Sequence, residues 1–352
     1  VRLMRTLSVC LSIFLLACGG SSEEDDNPAG NGGGGSGGSS SGGTGGSGTG
    51  GTITGDQFTV KIGPISVPSG EERTQCVVKN LGNPTEINVG RFDNHISSSS
   101  HHLIVYRSTD PEAPEPFDCE PFLDTLDPSK GSPVMITQKH DDFLQMPPGI
   151  AYTMPANQNM RLELHYINST QATVDVEATT TVTVLPDGTV EQHADLLFVG
   201  TLDISLPPKT TTSIGPVFFP LASDVGDPNF FAITGHTHAY GKNVTVDSVA
   251  NADDPGQSVY DIPGWSWSEP ETFVHDPPFK VPQGGGFRFQ CDYENTSNST
   301  ITFGESATKE MCFFWTYYYP SQGAKVCIHS NKIGADMTGC CPGPSLLCSF
   351  LN

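Results

Sequence analysis

The residues of this 352-residue chain best suited to chemistry are histidines at strand-like spacings. In Phe231-Ala232-Ile233-Thr234-Gly235-His236-Thr237-His238-Ala239-Tyr240, read as one extended strand, alternation puts Thr234, His236, His238 and Tyr240 on a common face. Two imidazoles two residues apart then converge on one point, a geometry that suits a metal ion. In Arg161-Leu162-Glu163-Leu164-His165-Tyr166 the same rule gives Leu162, Leu164 and Tyr166 one face and Glu163 and His165 the other. His165 is therefore expected to point away from the core. The adjacent pair His101-His102 is different, because neighbours on a regular strand face opposite ways. Both can serve one metal only at a strand end or a bulge, and the serine run at 97–100 supplies a strand end. A lone histidine is usually a surface or hydrogen-bonded side chain, so the argument rests on the grouping.

The elements that must position these groups read as β throughout. Segments rich in Val, Ile, Thr and Phe recur between Gly, Pro and Asn clusters, at 58–62, 103–106, 161–168, 174–185, 196–206, 229–240, 286–293 and 312–319. Almost nothing after Thr52 has the period of a long amphipathic helix. Many short, irregularly spaced strands with 28 prolines suit two sandwich domains better than one barrel. The expected fold is all-β, two consecutive β-sandwich (jelly-roll-like) domains at 56–189 and 190–332. The break falls at the Pro186-Asp187-Gly188 turn, and residues 333–352 form a Cys-rich tail.

Residues 1–18 have the layout of an export signal: Arg2 and Arg5, an apolar run at 7–17, then Leu15-Leu16-Ala17-Cys18, the pattern a lipoprotein signal peptidase needs. Cys18 is expected to become the acylated N-terminus. Residues 19–55, dominated by Gly and Ser with an acidic patch at 23–26, read as a disordered tether reaching about 30 Å. The protein is expected to be exported and lipid-anchored in a bacterial cell envelope, with Gly19 after the cysteine favouring the outer membrane. Its only membrane contact is then the lipid, since no other segment is apolar for long enough to span a bilayer. A net charge of -22, from 39 acids against 17 bases, argues against nucleic acid or anionic lipid surfaces as partners. Ten cysteines, eight of them after Cys18, suit an oxidising compartment and an even number of bridges.

Taken in order, His101-His102, then Leu162-Glu163-Leu164-His165-Tyr166, then Gly235-His236-Thr237-His238-Ala239-Tyr240-Gly241-Lys242, then Glu310-Met311-Cys312 resemble the copper type II, ascorbate-dependent monooxygenases. That family includes peptidylglycine α-hydroxylating and dopamine β-monooxygenases, and the resemblance runs from about 74 to 327. It implies a pair of β-sandwich domains, with one copper on His101, His102 and His165. A second copper, where dioxygen reacts, falls on His236, His238 and Met311, facing the first across a solvent-filled cleft. It also implies bridges Cys76–Cys119 and Cys291–Cys312. The family partner of Cys327 is missing, which leaves Cys340, Cys341 or Cys348 to pair with it, or a metal site made by this tail. The donor types fit copper on their own chemistry: imidazole serves both oxidation states, and a thioether favours Cu(I). Read alone, Met311 is a core side chain beside Phe313 and Trp315.

Departures from the family bear on substrate. Thr234 stands where the peptide-amidating branch has the arginine that holds a carboxylate, and Trp315 stands where a tyrosine is usual. Trp315, four residues after Met311, should share its face. A pocket lined by Thr234, Tyr240 and Trp315, without a cationic clamp, suits a small neutral or aromatic molecule with an activated C–H bond. The reading is a two-copper monooxygenase using O2 and ascorbate or another one-electron donor. The rival is a copper-binding or copper-scavenging surface lipoprotein without catalysis.

Overall fold

The computed structural model describes residues 55–119, 131–304, 306, 308–331 and 337–341. Cys18, the signal, most of the tether and Cys348 lie outside the described residues. Among the described residues there is no α-helix, only a 3-10 turn at Ser223–Val225, and none forms a helix long and apolar enough to cross a membrane.

Eleven strands make the first half: β1 (Gln57–Val67), β2 (Glu72–Asn80), β3 (Ile87–Ile96), β4 (Ser100–Ser108), β5 (Ala113–Asp118), β6 (Gly131–Thr137), β7 (Asp141–Gln145), β8 (Ile150–Met154), β9 (Asn159–Ile167), β10 (Val174–Val184) and β11 (Gln192–His193). They form one sheet of order β1-β10-β3-β8-β11, with β7 on β3, and a second of order β5-β2-β9-β4-β6. The second half adds β12 (Asp195–Thr201), β13 (Ser205–Leu206), β14 (Thr210–Pro220), β15 (Asn229–His236), β16 (Gly241–Val249), β17 (Gln257–Asp261), β18 (Phe273–Phe279), β19 (Gly286–Asn295), β20 (Ile301–Thr302), β21 (Cys312–Tyr319), β22 (Lys325–Ser330) and β23 (Met337–Cys341). Here the sheets run β18-β15-β21-β12-β22-β23 and β14-β19-β16-β17, with a small β13-β20 pair.

Burial follows sequence pattern. β10, Val174-Asp175-Val176-Glu177-Ala178-Thr179-Thr180-Thr181-Val182, alternates, and Val176, Ala178 and Val182 enter the first hydrophobic core. β21 does not alternate: Cys-Phe-Phe-Trp-Thr-Tyr-Tyr is buried on both sides. Phe313, Trp315 and Tyr317 join the core of the first half, together with Leu196, Phe198, Val326 and Ile328. Cys312, Phe314 and Tyr318 join the second core, with Leu197, Val199 and Cys327. The β12–β21 sheet is thus a wall shared by both cores.

Three expectations need correction. The stretch 196–206 is not one strand, because Ile204 N–H turns back to Leu202 O and Asp203 N–H to Thr201 Oγ1, ending β12. The stretch 229–240 stops as a strand at His236. The face of Glu163 and His165 is not solvent-facing: both are buried, with Tyr106 Oη donating to Glu163 Oε2 at 3.1 Å and Arg161 3.6 Å away. Polar partners inside the sheet make that face as buried as the leucine face.

Disulfides join Cys76 to Cys119 and Cys291 to Cys312, as the resemblance implies. Of the partners left open for Cys327, Cys340 takes it, directly opposite on the β22–β23 ladder. Cys341 is disulfide-bonded too. These sulfurs are therefore not thiolates, and the tail has no thiol metal site among the described residues.

Candidate metal centre

The first histidine group hangs on neighbouring strands β4 and β9. The ladder pairs Leu103 with Leu164 and His102 with His165, then jumps to Ser100 opposite Tyr166, so His101 is the extra residue of a bulge. Ser99, in the left-handed region at φ 72°, turns the chain into it. The bulge undoes alternation locally and brings both adjacent histidines to one point. Ring centroids lie 5.4 Å apart for His101 and His102, 5.2 Å for His101 and His165, and 5.0 Å for His102 and His165. One nitrogen from each lies within 4.8 Å of the others.

Protonation follows from the partners. His165 Nε2 donates to Glu72 Oε1 at 3.0 Å, which leaves Nδ1 as the nitrogen open to a metal. His101 Nε2 and both nitrogens of His102 are buried without a hydrogen-bond partner. Leaving a buried polar atom unpaired costs about 1–3 kcal/mol, so a bound cation would meet a demand this site creates. Burial first, and then the neighbouring imidazoles of His165 and His238, hold His101 down to about 3. Burial likewise pushes His102 well below the usual imidazole value. Neutral imidazole is the form that ligates a metal. A second acid-and-sulfur cluster, Cys76, Cys119 and Glu163, is no ligand set, because both sulfurs are in the disulfide.

The second group is built at a strand end. β15 closes on the pair His236–Phe313 of β21. Residues 237–241 form a turn closed by Gly241 N–H to His238 O at 2.9 Å. A Cβ on Gly241 would fall 1.7 Å from Thr237 Oγ1, so only glycine fits there. The His236 and His238 rings sit 5.2 Å apart at 89°. Met311 is buried in the same cluster as Phe313 and Trp315, and Trp315 lies 6.2 Å from His236, on the expected side.

Both histidines again have one nitrogen engaged. His236 Nδ1–H faces Gln138 Oε1 at 2.9 Å, and His238 Nδ1–H faces Lys309 O at 3.1 Å. Each ring is left with its Nε2 lone pair. Burial, with help from the other histidines, keeps His236 well below the usual value and His238 at about 4.

Four contributors carry no mark in the sequence pattern: Glu72, Gln138, Trp267 and, in its role, Glu310. Glu310 is fully buried and accepts the backbone N–H groups of His238 at 2.8 Å, Tyr240 at 2.7 Å and Met311 at 3.3 Å. Burial raises its carboxyl to about 7 against the pull of those three donors. It ties the turn of His238 to the strand of Met311. The Glu-Met-Cys run was the one available hint.

Thr234 is buried, paired with Trp315 across the ladder and hydrogen-bonded to Thr272 Oγ1 at 2.8 Å. Tyr240 departs from its expected face. Because the strand ends at His236, the turn swings Tyr240 onto the second core, away from Trp315 and Met311. His102, His165, His236, His238 and Met311 are buried, whereas His101 is half-buried, with Trp267 5.6 Å away.

Residues 221–336, which carry the second histidine group and Met311, match the family described as copper type II ascorbate-dependent monooxygenase, C-terminal domain. No curated protein sequence matches the chain. Among solved structures, the chain is similar to the major capsid protein P2 of bacteriophage PM2, at 10% identity, over 75% of this chain and 97% of that one, with a TM-score of 0.32. It is also similar to PNGase F, a glycosylasparaginase from Flavobacterium meningosepticum, at 9% identity, over 81% and 99%, with a TM-score of 0.37. At these values neither likeness speaks to function.

Proposed function

For a chain whose residues 221–336 match the copper type II, ascorbate-dependent monooxygenase family, we propose a two-copper enzyme that hydroxylates an sp3 C–H of a small neutral or aromatic molecule. The observation that carries it is the presence of two largely buried imidazole groups, each with ring nitrogens left free by outer partners, with Met311 next to Glu310, the carboxylate that holds the turn of His238. His101, His102 and His165 would hold one ion, and His236, His238 and Met311 the other. Copper supplies dioxygen reduction: RH, O2, two electrons and two protons give ROH and water, the electrons coming from ascorbate or another one-electron donor.

The chain's own residues do the rest. Glu72, Gln138 and the Lys309 carbonyl orient the rings, and Glu310 fixes the turn. Trp315 and Thr234, both buried on the side of His236, put an aromatic and an uncharged group there and no cation, which supports a neutral substrate over a carboxylate. The net charge of -22 leaves nucleic acid out of this reading.

The test is to incubate copper-loaded protein with ascorbate, oxygen and a metabolite extract. The expected result is oxygen uptake that rises with a substrate, and a product heavier by one oxygen atom. Two bound coppers with no substrate-dependent uptake would favour a copper-scavenging protein instead. The export signal and the lipid on Cys18 are part of the same proposal, with placement in a bacterial envelope, at the outer membrane. Cys18→Ser should convert a membrane-fraction protein into a soluble one, and an unacylated native protein would end the anchoring claim.

A further inference from the structure

The loop after β6 carries Gln138, a buried residue of the first half, to His236 of the second. Its amide offers one acceptor oxygen and one NH2 group. Nε2 donates to the backbone carbonyl of Trp267 at 3.3 Å, and Oε1 faces His236 Nδ1 at 2.9 Å. Turning the amide over would set oxygen against the Trp267 carbonyl, so the orientation is fixed by its own partners. An amide oxygen only accepts, so His236 Nδ1 must carry the hydrogen, whereas a free neutral histidine favours a hydrogen on Nε2. The Trp267 ring lies against His101, with centroids 5.6 Å apart and planes at 51°. A continuous series of contacts, His101 to Trp267 to Gln138 to His236, therefore joins the two histidine groups.

We propose that Gln138 is a positioning residue: it holds His236 in the Nδ1–H tautomer and links it through Trp267 to His101. The second ligand group is thereby set by packing against the first half. This rests on the copper reading above for its purpose, but not for its geometry. His238 is held separately, by Lys309 and Glu310.

Long-range proton–nitrogen spectra of the metal-free full chain test it directly. Wild-type His236 should show a protonated Nδ1 and an unprotonated Nε2. In Gln138→Leu, His236 should shift toward the Nε2–H tautomer while His238 stays unchanged, which also reports an intact fold. Copper affinity of the second group should then fall about 10–100-fold, with the first unchanged. Gln138→Glu keeps an acceptor toward Nδ1 and loses the donor to Trp267; it should retain the tautomer. An Nε2–H tautomer in wild type, loss of Nδ1–H in Gln138→Glu, or unchanged tautomer and affinity in Gln138→Leu overturns the proposal. If wild type shows the Nδ1–H tautomer but takes no copper at the second group, the copper function fails and the role of Gln138 in placing His236 stands.

Discussion

The first histidine group takes its three rings from two hydrogen-bonded neighbours in one sheet, while the second takes one ring from a strand end and one from a turn, its candidate thioether Met311 coming just before the strand opposite. The ladder alone brings His102 and His165 together, and one bulge adds His101. No ladder reaches His238, so the second group depends on a buried carboxylate, a backbone carbonyl and a side chain from the other half. A site held by register needs few outer partners. One held by a turn needs a partner for each exposed backbone group, and inherits every weakness of those partners.

The largest expected effect follows from that dependence. Glu310→Leu leaves three N–H groups unpaired, the two buried ones, of His238 and Met311, at about 1–3 kcal/mol each. The melting temperature should fall by about 5–10 °C, with copper lost from the second group and kept at the first. Unchanged melting with two bound coppers would mean that the turn is held by something else. Next come two ligand changes that should fail differently. His165→Ala should reduce copper to one ion per chain while carbon monoxide still binds the Cu(I) protein. Met311→Leu should cost less than about 1.5 kcal/mol, keep two coppers and alter carbon monoxide binding, with turnover lost in both. Full product formation in both variants would break the comparison altogether.

Acid should act on both groups in the metal-free protein. His101 at about 3 and His238 at about 4 lie below the 6.5 of an unfolded histidine, so between these values the unfolded chain binds more protons. Stability should therefore fall as pH drops from about 6.5 toward 4, the penalty levelling off below the folded values. Glu310 at about 7 works in the opposite direction: its contribution is present below 4.5 and is lost as pH rises through 7. Denaturant titrations across this range should show less acid sensitivity in a His101→Asn, His238→Asn double variant; equal sensitivity would remove the histidines as its cause. The smallest effect belongs to Tyr240→Phe, since Tyr240 meets Glu310 through its backbone and packs on the second core. Copper content and turnover should stay at wild-type levels, and a raised KM would place Tyr240 nearer the substrate than its packing suggests.

Local pattern reached the candidate ligands more readily than the residues that support them. Adjacent His101 and His102 could meet one ion only through a bulge, and β4 has one at that point. Alternation also put Trp315 on the face of Met311, and both enter the first core. It failed at Tyr240 because periodicity does not mark where a strand stops, and at Glu163 because a polar residue satisfied by Tyr106 looks solvent-facing in sequence. Glu72 and Gln138 were beyond reach for another reason: they lie 93 and 98 residues from the histidines they orient. Only the assembled sheets create those neighbours.

The shared wall has a consequence for how the molecule comes apart. Phe198, Phe313, Trp315 and Tyr317 are buried only while the first half lies against them. Separating the halves would bare a contiguous aromatic surface of the kind that drives aggregation. Heating should accordingly give one calorimetric transition, with calorimetric and van't Hoff enthalpies in agreement; two resolved peaks would show that the halves melt independently. A protein built this way loses both ligand groups in the same event, and the smallest piece that can be transplanted, fused or exchanged between relatives is the pair of halves together.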